Sequence, residues 1–176
     1  MLADHPVTDL MSDHRLIEKV MAAVEAQLGD GARPFPAVFV EEALAFFTEF
    51  ADAHHHLKEE QILFPALAAR GVPPAGGPIG VMLYEHALGR QLLAVIRDHL
   101  PAARDGDDSA HEAIRDAAGH YIELLRQHIW KEDTILFQMA RQVLDPAAAE
   151  EVLEQFAKHR TSAVSRHATF AAGLPG

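Results

Sequence analysis

Apolar side chains recur along this chain at alternating steps of three and four residues, the interval that lines one face of an α-helix. Leu10, His14, Ile17, Met21, Val24 and Leu28 form the first such stripe. It predicts a helix from about Thr8, a hydroxyl suited to N-capping, to Leu28, just ahead of Gly29-Asp30-Gly31. A second helix is expected after Pro34-Phe35-Pro36 and reaches about Arg70, with Leu44, Ala51, His55, Ile62 and Ala66 in a narrow arc. Pro65 inside it predicts a kink or one opened hydrogen bond. The turn formers from Gly71 to Pro78 lead into a third helix, expected from about Ile79 to Leu100 and closed by Pro101. Its inner arc holds Ile79, Met82, His86 and Leu93, and Arg90 shares that arc; Gly89 leaves room for a small molecule or a close helix contact. A fourth helix follows the polar turn Arg104 to Ser109 and runs to about Leu144, presenting Tyr121, Leu124, His128, Ile135 and Met139. Asp145-Pro146 opens a fifth, to about Phe170, with Val152, Phe156, His159, Ala163 and Phe170 on one side. The pattern predicts an all-α fold.

The polar residues inside these stripes carry the chemistry. His55-His56-Leu57-Lys58-Glu59-Glu60-Gln61-Ile62-Leu63-Phe64 is nearly repeated as His128-Ile129-Trp130-Lys131-Glu132-Asp133-Thr134-Ile135-Leu136-Phe137. Residues four apart share a helix face, so each copy presents an imidazole beside a carboxylate. Glu59 lies about 40° from His55 around the helix, whereas His56 and Glu60 point about 100–140° away. The inward set is therefore His14, His55, Glu59, His86, His128 and Glu132, drawn from four helices. An inward Glu needs a cation or an Arg nearby, because a buried unpaired carboxylate costs several kcal/mol. Imidazole and carboxylate without thiolate suit iron, manganese or zinc, and bundle cores hold metal pairs with such residues. His5, His99, His111 and His167 read as exposed or capping residues, His159 as a core hydrogen-bonding residue, and Asp133 and Glu60 as pointing away.

Composition narrows the function classes. Fifteen basic against twenty-six acidic residues leave a net charge of −11, and without a basic patch nucleic acid is not an expected partner. No cysteine is present, which removes disulfides, thiol nucleophiles and thiolate-held clusters. No N-terminal apolar run resembles a signal peptide and nothing approaches a membrane span, so a cytoplasmic location without membrane association is expected.

His14, the His55-to-Pro65 run, His86 and the His128/Glu132 pair resemble the hemerythrin-like, or HHE cation-binding, family over about Leu10 to Arg141. The motif is most similar to the repair-of-iron-centres proteins of that family. The resemblance implies an antiparallel up-down four-helix bundle over about 8–144 with an additional C-terminal helix at about 146–170, in a single domain spanning 1–176. It also implies a non-haem di-iron centre, open to manganese or zinc substitution, with Glu59 and Glu132 as bridging carboxylates. Oxygen-carrying members have a His four residues after the third-helix His, where this chain has Arg90. They also place an Asp where Asp133 stands. The repair proteins often carry a Cys-containing segment that is not matched here. The expected function is reaction with O2, peroxide or NO, in stress response, sensing or iron handling. Fewer imidazoles leave a coordination position open and favour this reading. The alternatives are a reversible O2 carrier, and an iron store or interaction module whose metal is structural.

Overall fold

The computed structural model describes residues 5–29, 31, 34–159 and 162–175. Among them the chain forms helices and no strand. We number these α1 (Pro6–Leu28), α2 (37–68), α3 (Pro78–Arg104), α4 (108–143), α5 (Pro146–Lys158) and α6 (Ser162–Gly173).

Helix α1 starts two residues before the expected cap. His5 takes the N-cap position, its Nδ1 accepting from the Val7 N–H at 3.4 Å, and Pro6 occupies the first turn, where its missing N–H has no cost. Thr8 is therefore inside the helix. The expected stop at Gly29 holds, while Asp30 lies outside the described residues. Helix α3 runs through Pro101 to Arg104 instead of ending at Leu100. One lost hydrogen bond near the terminus is offset by burial of Ala103, whose carbonyl accepts from His111 Nε2 at 2.8 Å. Gly89 serves a close helix contact: a Cβ there would meet the Tyr121 ring at 3.3 Å. The expected fifth helix is divided. His159, at φ −92° and ψ 2°, ends α5, and α6 begins at Ser162; the side chain of Ala163 lies outside the described residues.

Two long helices are not uniformly α. In α2, Phe47–His56 and Glu59–Leu63 are π-helical, and in α4 Glu132–Leu136 is π-helical. The Phe64 N–H binds the Glu59 carbonyl and the Phe137 N–H binds the Glu132 carbonyl, five residues back. Pro65 follows the first of these turns, yet the second has no proline. The wide turn therefore belongs to the Glu-containing motif in both copies, and such turns are frequent at functional sites.

Apolar burial divides into two clusters. One gathers Ile17, Met21, Phe46, Phe50, Leu93, Ile114 and Leu125 with Ala171 of α6. The other gathers Leu10, Leu63, Leu67, Met82, Leu136 and Phe137 with Val152 and Phe156 of α5. On each of α1 to α4 the chain passes from one cluster to the other across a histidine. Between the two apolar masses lies a layer of imidazoles and carboxylates.

Candidate metal centre

All six residues singled out by sequence lie in that layer. His14, Glu59 and Glu132 have no solvent exposure, and His55, His86 and His128 are at most 2% exposed. They fall into two sets of possible ligands whose atoms lie within 4.8 Å of one another: His14, His55, Glu59 and Glu132, and His56, Glu59, His86 and His128. Glu59 belongs to both. Its Oε1 is 3.6 Å from His55 Nε2 and its Oε2 is 3.5 Å from His86 Nε2. Glu132 Oε2 lies 3.2 Å from His14 Nε2 and 3.4 Å from His128 Nε2. Both carboxylates thus sit between the two sets.

The far side of each ring explains its orientation. Asp13 on α1 faces His55 Nδ1 on α2 at 3.3 Å, and Glu60 on α2 faces His86 Nδ1 on α3 at 2.7 Å. Glu85 on α3 faces His128 Nδ1 on α4 at 3.0 Å, and Asp133 on α4 faces His14 Nδ1 on α1 at 2.7 Å. The circuit closes around the four helices. At each step the helix that carries the histidine also sends a cation to the same carboxylate. Lys58 reaches Asp13 at 2.6 Å, Arg90 reaches Glu60 at 2.7 Å, Lys131 pairs with Glu85, and Arg15 reaches Asp133 at 2.5 Å. A carboxylate on the outer nitrogen fixes the tautomer and directs the inner lone pair, the arrangement that supports histidine as a metal ligand.

Glu60 and Asp133, expected to point away, do so, and the structure gives them a use there. Each of the four orienting acids is the chain neighbour of an inward residue: Asp13 of His14, Glu60 of Glu59, Glu85 of His86, Asp133 of Glu132. One step along a helix turns about 100°, enough to aim the acid at the next helix. That adjacency was visible in the sequence.

His56 is the second difference. Expected to face outward, it is 5% exposed, and its ring stacks on His86 with centroids 3.9 Å apart. The π-helical run Phe47–His56 ends there, and both His55 and His56 are buried, the interior face being wider than the narrow arc expected from the sequence. His167, expected at the surface, is buried against Glu49 at 2.8 Å, while His5 and His111 are capping residues as expected. His159 joins neither ligand set. Tyr84 is 68% exposed, and Tyr121 is buried with its hydroxyl unpartnered.

Inside the layer, several donors lack a partner. None of the four Glu59 and Glu132 oxygens receives a hydrogen bond. With the protons on Nδ1, the Nε2 lone pairs of His14 and His55 face each other at 3.1 Å, and those of His86 and His128 at 3.2 Å. Burial, reinforced by the charge of Glu132, pushes the Glu59 carboxyl well above the usual carboxylate range. Burial also acts upward on Glu132, but His128 and His14 beside it prevail and hold it low. For His14, burial is outweighed by Asp133 and Glu132, and its ring is held up at about 9. His55 is driven well below the ordinary histidine value by burial and by its His14 and His56 neighbours. Metal cations between these donors would meet the unpartnered carboxylate oxygens and the facing Nε2 atoms, and the residues present fit such binding.

Helices that bury paired carboxylates among carboxylate-oriented imidazoles define a cation-binding helical protein. The family model described as the hemerythrin HHE cation binding domain matches residues 5–140, and the chain belongs to that family. Among curated proteins it is similar to Rv1995 of Mycobacterium tuberculosis, 26% identical over 158 residues, covering 86% of this chain and 60% of that protein. It is also similar to the iron-sulfur cluster repair protein YtfE of Musicola paradisiaca, 36% identical over 91 residues (50% of this chain, 40% of that protein). The Escherichia coli O157:H7 protein of the same name is 28% identical over 143 residues, or 79% of this chain and 64% of that protein. The chain thus spans less than two thirds of the length of these relatives. No solved structure gives a significant match.

Proposed function

We propose that this chain binds two iron ions through His14, His55, Glu59, His86, His128 and Glu132, and reacts with O2, peroxide or NO in oxidative or nitrosative stress response or in iron-centre maintenance. The observation that carries this is the set of four buried, unpartnered carboxylate oxygens lying between inward-facing imidazoles. Glu59 and Glu132 would bridge the pair, and manganese or zinc would suit the same donors. Held by these residues in the ferrous state, the pair would supply electrons to a small oxidising ligand. The chain's own residues hold the geometry: the ring of acids keeps each Nε2 aimed inward, and the apolar clusters on either side exclude bulk water. The names of the YtfE relatives support the iron-centre branch of this reading.

The same reading takes the four long helices as an antiparallel up-down bundle within a single domain spanning 1–176, with α5 and α6 as the C-terminal addition. It takes the protein as cytoplasmic, acting on small molecules and not on nucleic acid. Among the described residues no helix is long and apolar enough to cross a membrane. The test is metal analysis and a UV–visible spectrum of freshly purified protein, followed by anaerobic reduction and mixing with O2, peroxide or NO. About two irons per chain and a spectrum that changes on mixing are expected. A chain that takes up no iron on reconstitution overturns the proposal.

A further inference from the structure

Of the five histidines in the two ligand sets, four belong to the closed circuit of acids; His56 stands outside it. Its Nδ1 faces Asp52, one turn earlier on its own helix, at 3.3 Å. Asp52 is itself clasped by Arg90, whose Nε lies 2.9 and 3.1 Å from the two carboxylate oxygens. Arg90 also holds Glu60, so a single guanidinium on α3 fixes the acids behind both His56 and His86. The outer nitrogen of His56 is thus anchored like those of the other four.

Its inner nitrogen is not paired. His56 Nε2 is buried and has no hydrogen-bond partner. Yet Glu59, His86 and His128 each offer a ligand atom in the same set, all within 4.8 Å. The ring lies nearly parallel to His86, at 16°, and edge-on to His128, with centroids 5.5 Å apart. A side chain needed only for packing would not carry a nitrogen that costs about 1–3 kcal/mol to bury unsatisfied. The matching position of the second motif copy is Ile129, which has no such nitrogen.

We propose that His56 is a fifth imidazole ligand and that the two metal positions are therefore unequal. His56, His86 and His128 serve one position, His14 and His55 serve the other, and Glu59 and Glu132 lie between them. This inference rests on the metal-pair reading above.

The experiment compares the full-length wild-type chain with His56→Leu and Asp52→Asn after anaerobic reconstitution with ⁵⁷Fe(II). Mössbauer spectra and chelator competition read each position, and circular dichroism checks the fold. Wild type should hold two irons with two distinct doublets. His56→Leu should weaken one Fe(II) position at least about tenfold, alter one doublet and spare the other. Asp52→Asn, which keeps the imidazole but weakens its anchor, should affect the same position to a smaller degree. Two unchanged affinities and doublets in a folded His56→Leu protein overturn the inference and leave the metal pair standing. Should that variant not fold, Asp52→Asn decides: wild-type affinity at both positions overturns the proposal. A wild-type chain without bound iron overturns the metal-pair reading as well.

Discussion

The two copies of the His-x-x-Lys-Glu motif agree in what touches the centre of the polar layer and differ in what stands behind it. In each, the histidine and the glutamate four residues on face inward, a π-helical turn starts at that glutamate, and the following acid orients a histidine on another helix. The first copy adds His56 where the second has Ile129, and Asp52 where the second has Leu125. Its lysine, Lys58, is 1% exposed, bound to Asp9 and Asp13 and lying 5.2 Å from the Phe156 ring of α5. The lysine of the second copy, Lys131, pairs with Glu85 at a more open site, its side chain 28% exposed. Shared residues set the common donors; the unshared ones add His56 to one ligand set and set how deeply each half is sealed.

The largest expected effects should be equal between copies. Glu59→Ala and Glu132→Ala should each remove most of the bound iron, since each carboxylate lies between both ligand sets; elemental analysis of purified variants reads this. Full retention by one variant would break the equivalence. Next come the orienting acids. Glu60→Ala and Asp133→Ala should each weaken iron binding by about 10–100-fold without abolishing it, the usual cost of removing the partner of a ligating histidine. Affinities indistinguishable from wild type would mean that the circuit of acids is decorative.

The lysines should separate the copies. Lys58→Met removes the buried cation that Asp9 and Asp13 share, and loss of one partner from a buried ion pair costs about 3–5 kcal/mol. Asp9 and Asp13 keep partial access to water, with side chains 28% and 13% exposed, so the lower end is expected. Lys131→Met should cost about 0–1 kcal/mol, as for pairs near the surface. Urea unfolding of the metal-free variants measures both. Equal losses would show that the cover of α5 over Lys58 adds nothing.

The elements and the six inward residues were legible because both follow from a period that the whole chain obeys. Leu10, His14, Ile17, Met21, Val24 and Leu28 are all buried as their spacing requires. His56 was not legible, because a uniform α-helical step turns it about 100° from His55, and no local residue announces the ten-residue π run of Phe47–His56. The orienting acids escaped differently. A side chain tangential to a helix is defined by its neighbour helix, and periodicity within one helix says nothing about that neighbour. Terminal positions depended on competition between local signals. Pro6 with His5 outweighed Thr8 as a start, and burial of Ala103 carried α3 past Pro101.

One further small effect isolates the part of the first copy that has no counterpart in the second. Burial alone acts upward on Asp52, but its hydrogen bonds to His56 and Arg90 prevail and lower it from 3.8 to about 2. A carboxylate depressed on folding contributes stability that is full above its unfolded value and is lost as pH falls through its folded value. Asp52→Asn in the metal-free protein should therefore cost about 1 kcal/mol at pH 6, after allowance for solvent screening. The difference from wild type should shrink between pH 3.8 and about 2. Urea titrations at several pH values in that range read the trend. A cost that stays constant as pH falls would assign Asp52 to shape alone, and a cost that grows would reverse the sign and break the link between Arg90, Asp52 and His56.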